Sequence, residues 1–149
     1  SPGFKEFTVN ESLMREITSY TDHFDQVMGI HIRRSDHKRA KKYSPTSLFI
    51  EHMECELIEH PETRFFLATD SPQVEDRMLG IFGDRIITHP KSSLDRNNSD
   101  AIKDALIDLY CLGNCTKIIG SYWSSFTAAA SEISGAETTI VKKPPDSSR

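Results

Sequence analysis

The sequence lacks the features of a membrane, disulfide-rich or zinc-binding protein. Its longest stretch without a charged residue, 118–131, is interrupted by Ser, Gly and Thr and is too short for the ~20 apolar residues of a membrane span. The first residues hold no apolar segment of the signal-peptide kind, so the compartment stays unknown. The cysteines Cys55, Cys111 and Cys115 show neither a disulfide framework nor zinc-ligand spacing. We expect them to be small buried hydrophobic residues.

A net basic charge is also missing. The 149 residues include 18 Lys and Arg and 22 Asp and Glu, for a net charge of -4, although 33–42 is strongly basic. An acidic chain with one basic segment favours a local anion site over a broad nucleic-acid surface. No aromatic residue interleaves with Lys38–Lys42, so stacking on bases is not supported and we do not expect nucleic acid as a partner.

Short apolar runs alternate with amphipathic stripes along the chain, and this alternation predicts parallel strands connected by helices. The length fits one domain, which we place at 1–143, followed by a disordered tail at 144–149. The predicted strands are 27–32, 64–68, 85–87, 117–120 and 138–141. The predicted helices are 11–20, 45–60, 72–82, 102–112 and 126–133.

Cap residues support these helix ends. Asn10, Ser44 and Ser71 are predicted N-caps, with a proline at the first helical position after each serine. Gly83 and Gly135 are predicted to end the third and fifth helices. In the fourth helix, the predicted inward face consists of Ile102, Ala105, Leu106, Leu109 and Leu112.

The fold class is therefore α/β: a single Rossmann-like, three-layer domain of about five mostly parallel strands with helices on both faces. A strand order of 3-2-1-4-5 reverses between strands one and four. Ligands of such sheets bind beyond the carboxyl ends of the strands at this reversal. We therefore expect function in the residues that follow strands one and four.

Two arginines follow the first strand. Arg33 and Arg34 each present a planar fork of donors that binds phosphate oxygens bidentately, and Asp36 is placed to orient one of them. The sequence thus predicts a diphosphate clamp, and the alternative is a solvated strand end. His31, within the apolar run, is either a buried histidine with a satisfied hydrogen bond or a contact for a nucleotide base.

A helix start follows the fourth strand. Free N–H groups and the positive end of the helix dipole bind anions there, and the Ser124 and Ser125 hydroxyls add donors. The alternative is simple N-capping by Ser124. Neither a GxGxxG nor a P-loop motif is present.

Asp108 lies at the border of the predicted apolar stripe, and its helix neighbours Ala101 and Ala105 are small. A half-buried carboxylate there can accept two N–H donors from a guanine edge. The alternative is an ordinary surface acid, because Asp100, Asp104 and Asp108 form a row at i, i+4 spacing.

The segment Gly29–Asp36 resembles the HxRRxD motif shared by α1,2-, α1,6- and protein O-fucosyltransferases. Residues 105–112 and 118–126 are similar to the second and third motifs of that superfamily. The resemblance extends from about Val27 to Ile140, which is most of the chain.

This resemblance implies the C-terminal, GDP-fucose-binding half of a GT-B glycosyltransferase, which transfers fucose with inversion and without a metal to a glycan or protein hydroxyl. It implies that Arg33 holds the β-phosphate, that Arg34 is needed for activity, and that Ser124 or Ser125 binds phosphate. His31 and Asp108 match positions that contact guanine.

Three observations bear on what the resemblance implies. No Asp-x-Asp is present to hold a metal on a nucleotide diphosphate, so we expect no cofactor besides the donor substrate. The α1,6 enzymes carry a glutamate where this chain has Lys41, so α1,6 chemistry is not expected and the acceptor stays unassigned. A GT-B enzyme has a second domain, and the alternative function is a non-catalytic nucleotide or phosphosugar-binding module that lacks it.

Overall fold

A computed structural model describes residues 10–34, 42–91, 97–121 and 125–143 of the chain. These residues form one sheet of five parallel strands in the order β3-β2-β1-β4-β5. The predicted order and the Rossmann-like α/β class are confirmed. The predicted tail at 144–149 lies outside the described residues. The strands are β1 (Val27–Ile32), β2 (Arg64–Thr69), β3 (Ile86–Ile87), β4 (Lys117–Ser121) and β5 (Glu137–Val141).

Helices cover both faces of this sheet. Buried side chains of α2 and α3 form one apolar cluster with one face, and those of α1, α4 and α5 form a second cluster with the other. All six residues of β1 are buried, as expected for a strand covered on both faces. The helices are α1 (Glu11–Thr21), α2 (Thr46–Glu59), α3 (Pro72–Phe82), α4 (Asn98–Gly113) and α5 (Ser125–Ser134), and a 3-10 helix spans Gly83–Arg85.

Most of the predicted helix ends are confirmed. The Asn10 side chain accepts a hydrogen bond of 2.8 Å from the Leu13 N–H, and Ser71 accepts one of 3.2 Å from Val74. Gly83 and Gly135 follow α3 and α5 with φ of 56° and 72°. An L side chain is strained in this region, so glycine ends a helix there at the lowest conformational cost.

The prediction that Ser44 caps α2 is wrong. Pro45 occupies the N-cap position, where it makes no side-chain bond. The Ser44 hydroxyl is fully buried and donates to the carbonyl oxygen of Val141. Because a buried hydroxyl needs a partner, Ser44 connects the start of α2 to the end of β5 instead of capping a helix.

The predicted inward face of α4 is only partly right: Leu112 is buried and Leu106 and Leu109 pack partly buried against the core, whereas two other residues point outward. Ile102 is 44% exposed and Ala105 is exposed. The buried residues of this helix are Asp104, Ile107, Asp108, Cys111, Leu112 and Gly113. Two carboxylates on the buried face conflict with the hydrophobic pattern, and they are tolerated because His89 and Lys91 lie beside them, as described below.

A smaller expectation, that all three cysteines are buried, fails for one of them. Cys55 is exposed, whereas Cys111 and Cys115 are buried as expected. In the described ranges, no helix combines the length and the apolar character that crossing a membrane requires.

Candidate functional site

The strand order reverses between β1 and β4, as the sequence predicts. β2 and β4 flank β1, so that His31 pairs with Ala68 on one side and with Gly120 on the other. Register partners in a sheet share a face. The carboxyl ends of β1 and β4 therefore lie side by side, and a ligand crevice is expected at this edge.

Arg33 is the first residue after β1, and it is exposed. Its backbone N–H donates to the Ser121 hydroxyl oxygen over 3.1 Å. Ser121 is fully buried at the end of β4 and donates in turn to the carbonyl of His31 over 3.4 Å. Sequence reasoning did not single out Ser121, although a polar residue at the end of a buried apolar strand was a signal. This serine fixes the two strand ends that meet at the crevice.

Arg34 is held by the protein itself. One terminal nitrogen, Nη2, donates to the Ser44 carbonyl over 2.8 Å and to the Thr46 hydroxyl over 3.0 Å. The other, Nη1, donates to the carbonyl of Arg33 over 3.2 Å, and the Arg34 backbone N–H donates to Asp70 over 2.7 Å. Burial lowers the pKa of Arg34, and Asp70 opposes this shift. Arg34 thus connects the end of β1 to the start of α2.

His31 is buried inside β1, with 8% of its surface exposed. Its Nδ1 lies 2.8 Å from the Thr127 hydroxyl of α5. Burial lowers the pKa of His31 to about 4, Asp70 opposes this shift and Arg33 adds to it. The imidazole is therefore neutral at pH 7. The structure supports the interpretation of a buried, hydrogen-bonded histidine, and the contact to a base stays a prediction.

Asp108 is buried, so the interpretation of a surface acid is wrong. Its Oδ2 forms an ion pair with Lys91 Nζ at a distance of 2.6 Å, and its Oδ1 lies 3.9 Å from His89 Nδ1. His89 Nε2 lies 3.7 Å from Glu16 and 4.0 Å from Asp104. We call Glu16, His89, Lys91, Asp104 and Asp108 the His89 cluster. Sequence reasoning singled out only Asp108 of these residues for a functional role, since His89 and Lys91 come from the segment after β3.

Burial favours the neutral form of the His89 ring. Burial lowers its pKa, Lys91 lowers it further, and Asp104 and Glu16 oppose the shift. The Tyr20 ring packs edge-on against it, with centroids 5.7 Å apart. Burial also raises the pKa of Cys111 to about 12, and Asp108 adds to this rise. This thiol is therefore protonated and unreactive at pH 7.

Some predicted site residues are not covered by the structure. Asp36, Lys41 and Ser124 lie outside the described residues, and Ser125 is known only as the first residue of α5. β4 ends at Ser121, so α5 does begin just beyond the crevice edge. Within the ranges that the structure describes, no three or more His, Cys, Asp or Glu side chains are grouped to hold a metal ion.

The solved structures that this chain resembles include fucosyltransferases. The chain is 26% identical to NodZ α-1,6-fucosyltransferase crystallised with GDP, with a TM-score of 0.56 over 85% of this chain and 41% of that one. A second structure of NodZ, from Bradyrhizobium, is 25% identical, with a TM-score of 0.52 over 84% of this chain and 41% of that one. A mutant of Arabidopsis thaliana FUT1 in complex with GDP gives 15% identity and a TM-score of 0.61, over 92% of this chain and 34% of that one.

POFUT1 in complex with GDP is 12% identical, with a TM-score of 0.60 over 89% of this chain and 46% of that one. The chain thus spans less than half the length of each of these proteins. At 15% and 12% identity the likeness to FUT1 and POFUT1 shows the fold alone. No protein-family model and no curated protein sequence matches the chain.

Proposed function

We propose that this chain is the GDP-fucose-binding half of a two-domain, GT-B fucosyltransferase. The observation that carries the proposal is the junction of β1 and β4, where exposed Arg33 follows β1 and its backbone is fixed by Ser121 of β4. In the proposal, His31, Arg33 and Arg34 at this junction belong to the HxRRxD motif. The similarity to NodZ, which was crystallised with GDP, supports the same nucleotide here.

The phosphate groups of the ligand are assigned to the space between Arg33 and the start of α5. Arg33 stands at the carboxyl edge of β1, and α5 starts four residues after the end of β4. A guanidinium and the positive end of a helix dipole form an anion site together. In the proposal, Arg33 binds the β-phosphate, Asp36 orients it, and the hydroxyls of Ser124 and Ser125 donate to phosphate oxygens.

The base is assigned to the face of the sheet that α1, α4 and α5 cover. His31 lies on this face, because its ring bonds Thr127 of α5, and Asp108 lies on the buried face of α4. A carboxylate has two acceptor oxygens, which match the N1–H and N2–H donors of guanine. We therefore assign His31 and Asp108 to the base.

The proposed reaction is an inverting transfer without a metal. A glycan or protein hydroxyl attacks the anomeric carbon of fucose from the face opposite GDP, and its proton leaves to water as the new C–O bond forms. The bond from that carbon to the β-phosphate oxygen breaks, and GDP leaves with the bonding electrons. Arg33 and the α5 dipole stabilise the charge that develops on this oxygen. Arg34 acts as a positioning residue, since it holds the carbonyl of Arg33.

A non-catalytic nucleotide or phosphosugar-binding module is the second candidate. This candidate is favoured by the hydrogen bonds of Arg34, because both terminal nitrogens of its guanidinium donate to carbonyl oxygens of the protein itself. Release or transfer of fucose from GDP-fucose, measured with this chain and with a supplied second domain, separates the two functions. Transfer supports the enzyme, whereas GDP binding with no turnover under both conditions supports the module.

The variant Arg33→Ala tests the phosphate site. We expect it to weaken GDP binding by about 2 to 4 kcal/mol, because it leaves a bound phosphate without its charge partner. Isothermal titration calorimetry measures the change. Arg64→Ala is the matched control, since Arg64 is exposed at the opposite end of β2 and is expected to leave GDP binding unchanged. An unchanged GDP isotherm for Arg33→Ala contradicts the assignment.

A further inference from the structure

Lys91 is fixed at the edge of the His89 cluster by two acceptors. Its Nζ donates to Asp108 Oδ2 over 2.6 Å and to the carbonyl of His89 over 3.1 Å. An ammonium group has three donors. Within the part of the chain that the structure describes, two donors are therefore used, and one stays available for a ligand.

The accessible part of this cluster is Lys91. Its side chain is 33% exposed, whereas that of Asp108 is 9% exposed. The His89 Nδ1 atom is buried, and among the described residues it has no hydrogen-bond partner. A ligand that approaches Asp108 from solvent therefore meets the ammonium of Lys91 first.

The cluster and His31 lie on the same face of the sheet. The His31 ring contacts Thr127 of α5, His89 lies beside Asp108 of α4, and both helices cover this face. β2 separates β1 from β3 in the sheet, and His89 follows β3 by two residues. A planar base that contacts His31 can therefore extend its far edge across β2 toward Lys91 and Asp108.

We infer that Lys91 is a specificity-determining residue, which donates a hydrogen bond to the oxygen at C6 of a purine base while Asp108 accepts from N1–H. The inference rests on the proposed function, because it needs the base to occupy this site. It adds that the ligand class is a 6-oxopurine nucleoside diphosphate.

The chemistry of the base edge explains the selectivity. Guanine and hypoxanthine present a carbonyl oxygen at C6 and a donor at N1, which complement an ammonium beside a carboxylate. Adenine presents an amino group at C6 and an acceptor at N1, so it places donor against donor and acceptor against acceptor. Unpaired polar groups of this kind discriminate strongly between ligands.

The test compares nucleotides with and without the oxygen at C6. Wild type, Lys91→Met and Lys91→Arg are titrated with GDP, inosine diphosphate, ADP and the diphosphate of 2-aminopurine riboside, which lacks the oxygen. We expect Lys91→Met to weaken GDP and inosine diphosphate about tenfold, which is about 1.4 kcal/mol. The affinity for the other two nucleotides should change less than about twofold, and Lys91→Arg should retain the preference because it retains donors.

Lys103→Met is the matched control. Lys103 pairs with Glu16 over 3.4 Å at the rim of the same cluster, and its loss should leave all four affinities unchanged. Tighter or unchanged GDP binding in Lys91→Met overturns the inference, as does an equal loss for all four nucleotides. Those results leave the proposed function standing if wild type binds GDP. Failure of wild type to bind GDP overturns the proposed function itself.

Discussion

Replacement of Gly120 by alanine tests whether the contact between β4 and α5 holds His31 in place. The new Cβ would lie 2.7 Å from Cγ2 and 2.9 Å from Cβ of Thr127. Thr127 is fully buried, so its side chain has no room to swing outward. The clash must move α5 or break the hydrogen bond from Thr127 to His31.

The expected loss of stability is the sum of two costs. Overpacking a well-packed core costs about 1 to 3 kcal/mol, and loss of the hydrogen bond to His31 adds about 1 kcal/mol. We therefore expect Gly120→Ala to lower the free energy of unfolding by about 2 to 4 kcal/mol, and Tm by roughly 5 to 15 °C. Urea denaturation and thermal unfolding measure both quantities.

Gly80→Ala is the matched control. Gly80 lies inside α3 and a Cβ there meets no atom within 4 Å, so alanine should stabilise the helix by about 1 kcal/mol. In a Thr127→Ala background, Gly120→Ala should cost less than it does in wild type, because Oγ1 and Cγ2 are gone while Cβ at 2.9 Å remains. A Tm for Gly120→Ala within about 1 °C of wild type refutes the reasoning.

Three further predictions concern stability and binding. Arg34→Ala should lower the free energy of unfolding by about 1 to 3 kcal/mol in urea, because the buried Ser44 carbonyl and the half-buried Thr46 hydroxyl lose their donor, and a loss below about 0.3 kcal/mol argues against this role. The lowered pKa of His31, about 4, means that folding favours the neutral ring. The contribution of His31 to the free energy of unfolding is therefore complete above about pH 6.5. Roughly 3 kcal/mol of that free energy is lost as the pH falls toward 4. The stability difference between wild type and His31→Gln should shrink over that range, and an equal difference at pH 7 and pH 4.5 contradicts it. GDP affinity should be the same with magnesium and with EDTA, and a tenfold loss in EDTA contradicts the metal-free proposal.

The sheet was predictable because its strands are buried on both faces. Such strands are continuous apolar runs, as in Val27–Ile32, and the alternation of strands with helices leaves few allowed topologies. Asn10, Ser71 and Gly83 were predictable for a local reason, since each acts on backbone within a few residues. These signals are contained in short windows of sequence.

The face of α4 was not predictable from its own residues. Periodicity places apolar side chains inward and carboxylates outward, whereas Asp104 and Asp108 are buried because His89 and Lys91 lie beside them. These partners come from another segment of the chain. Ser44 and Thr127 show the same limit, because their hydrogen-bond partners are 97 and 96 residues away in sequence. Polar groups with distant partners leave no periodic signal.

Titration of this chain with GDP, using ADP and UDP as comparison ligands, tests the central claim most directly. The account predicts that GDP binds with a measurable isotherm, and that ADP and UDP bind at least about tenfold more weakly, because His31 and Asp108 select the base. Absence of GDP binding, or equal affinity for the three nucleotides, contradicts the account.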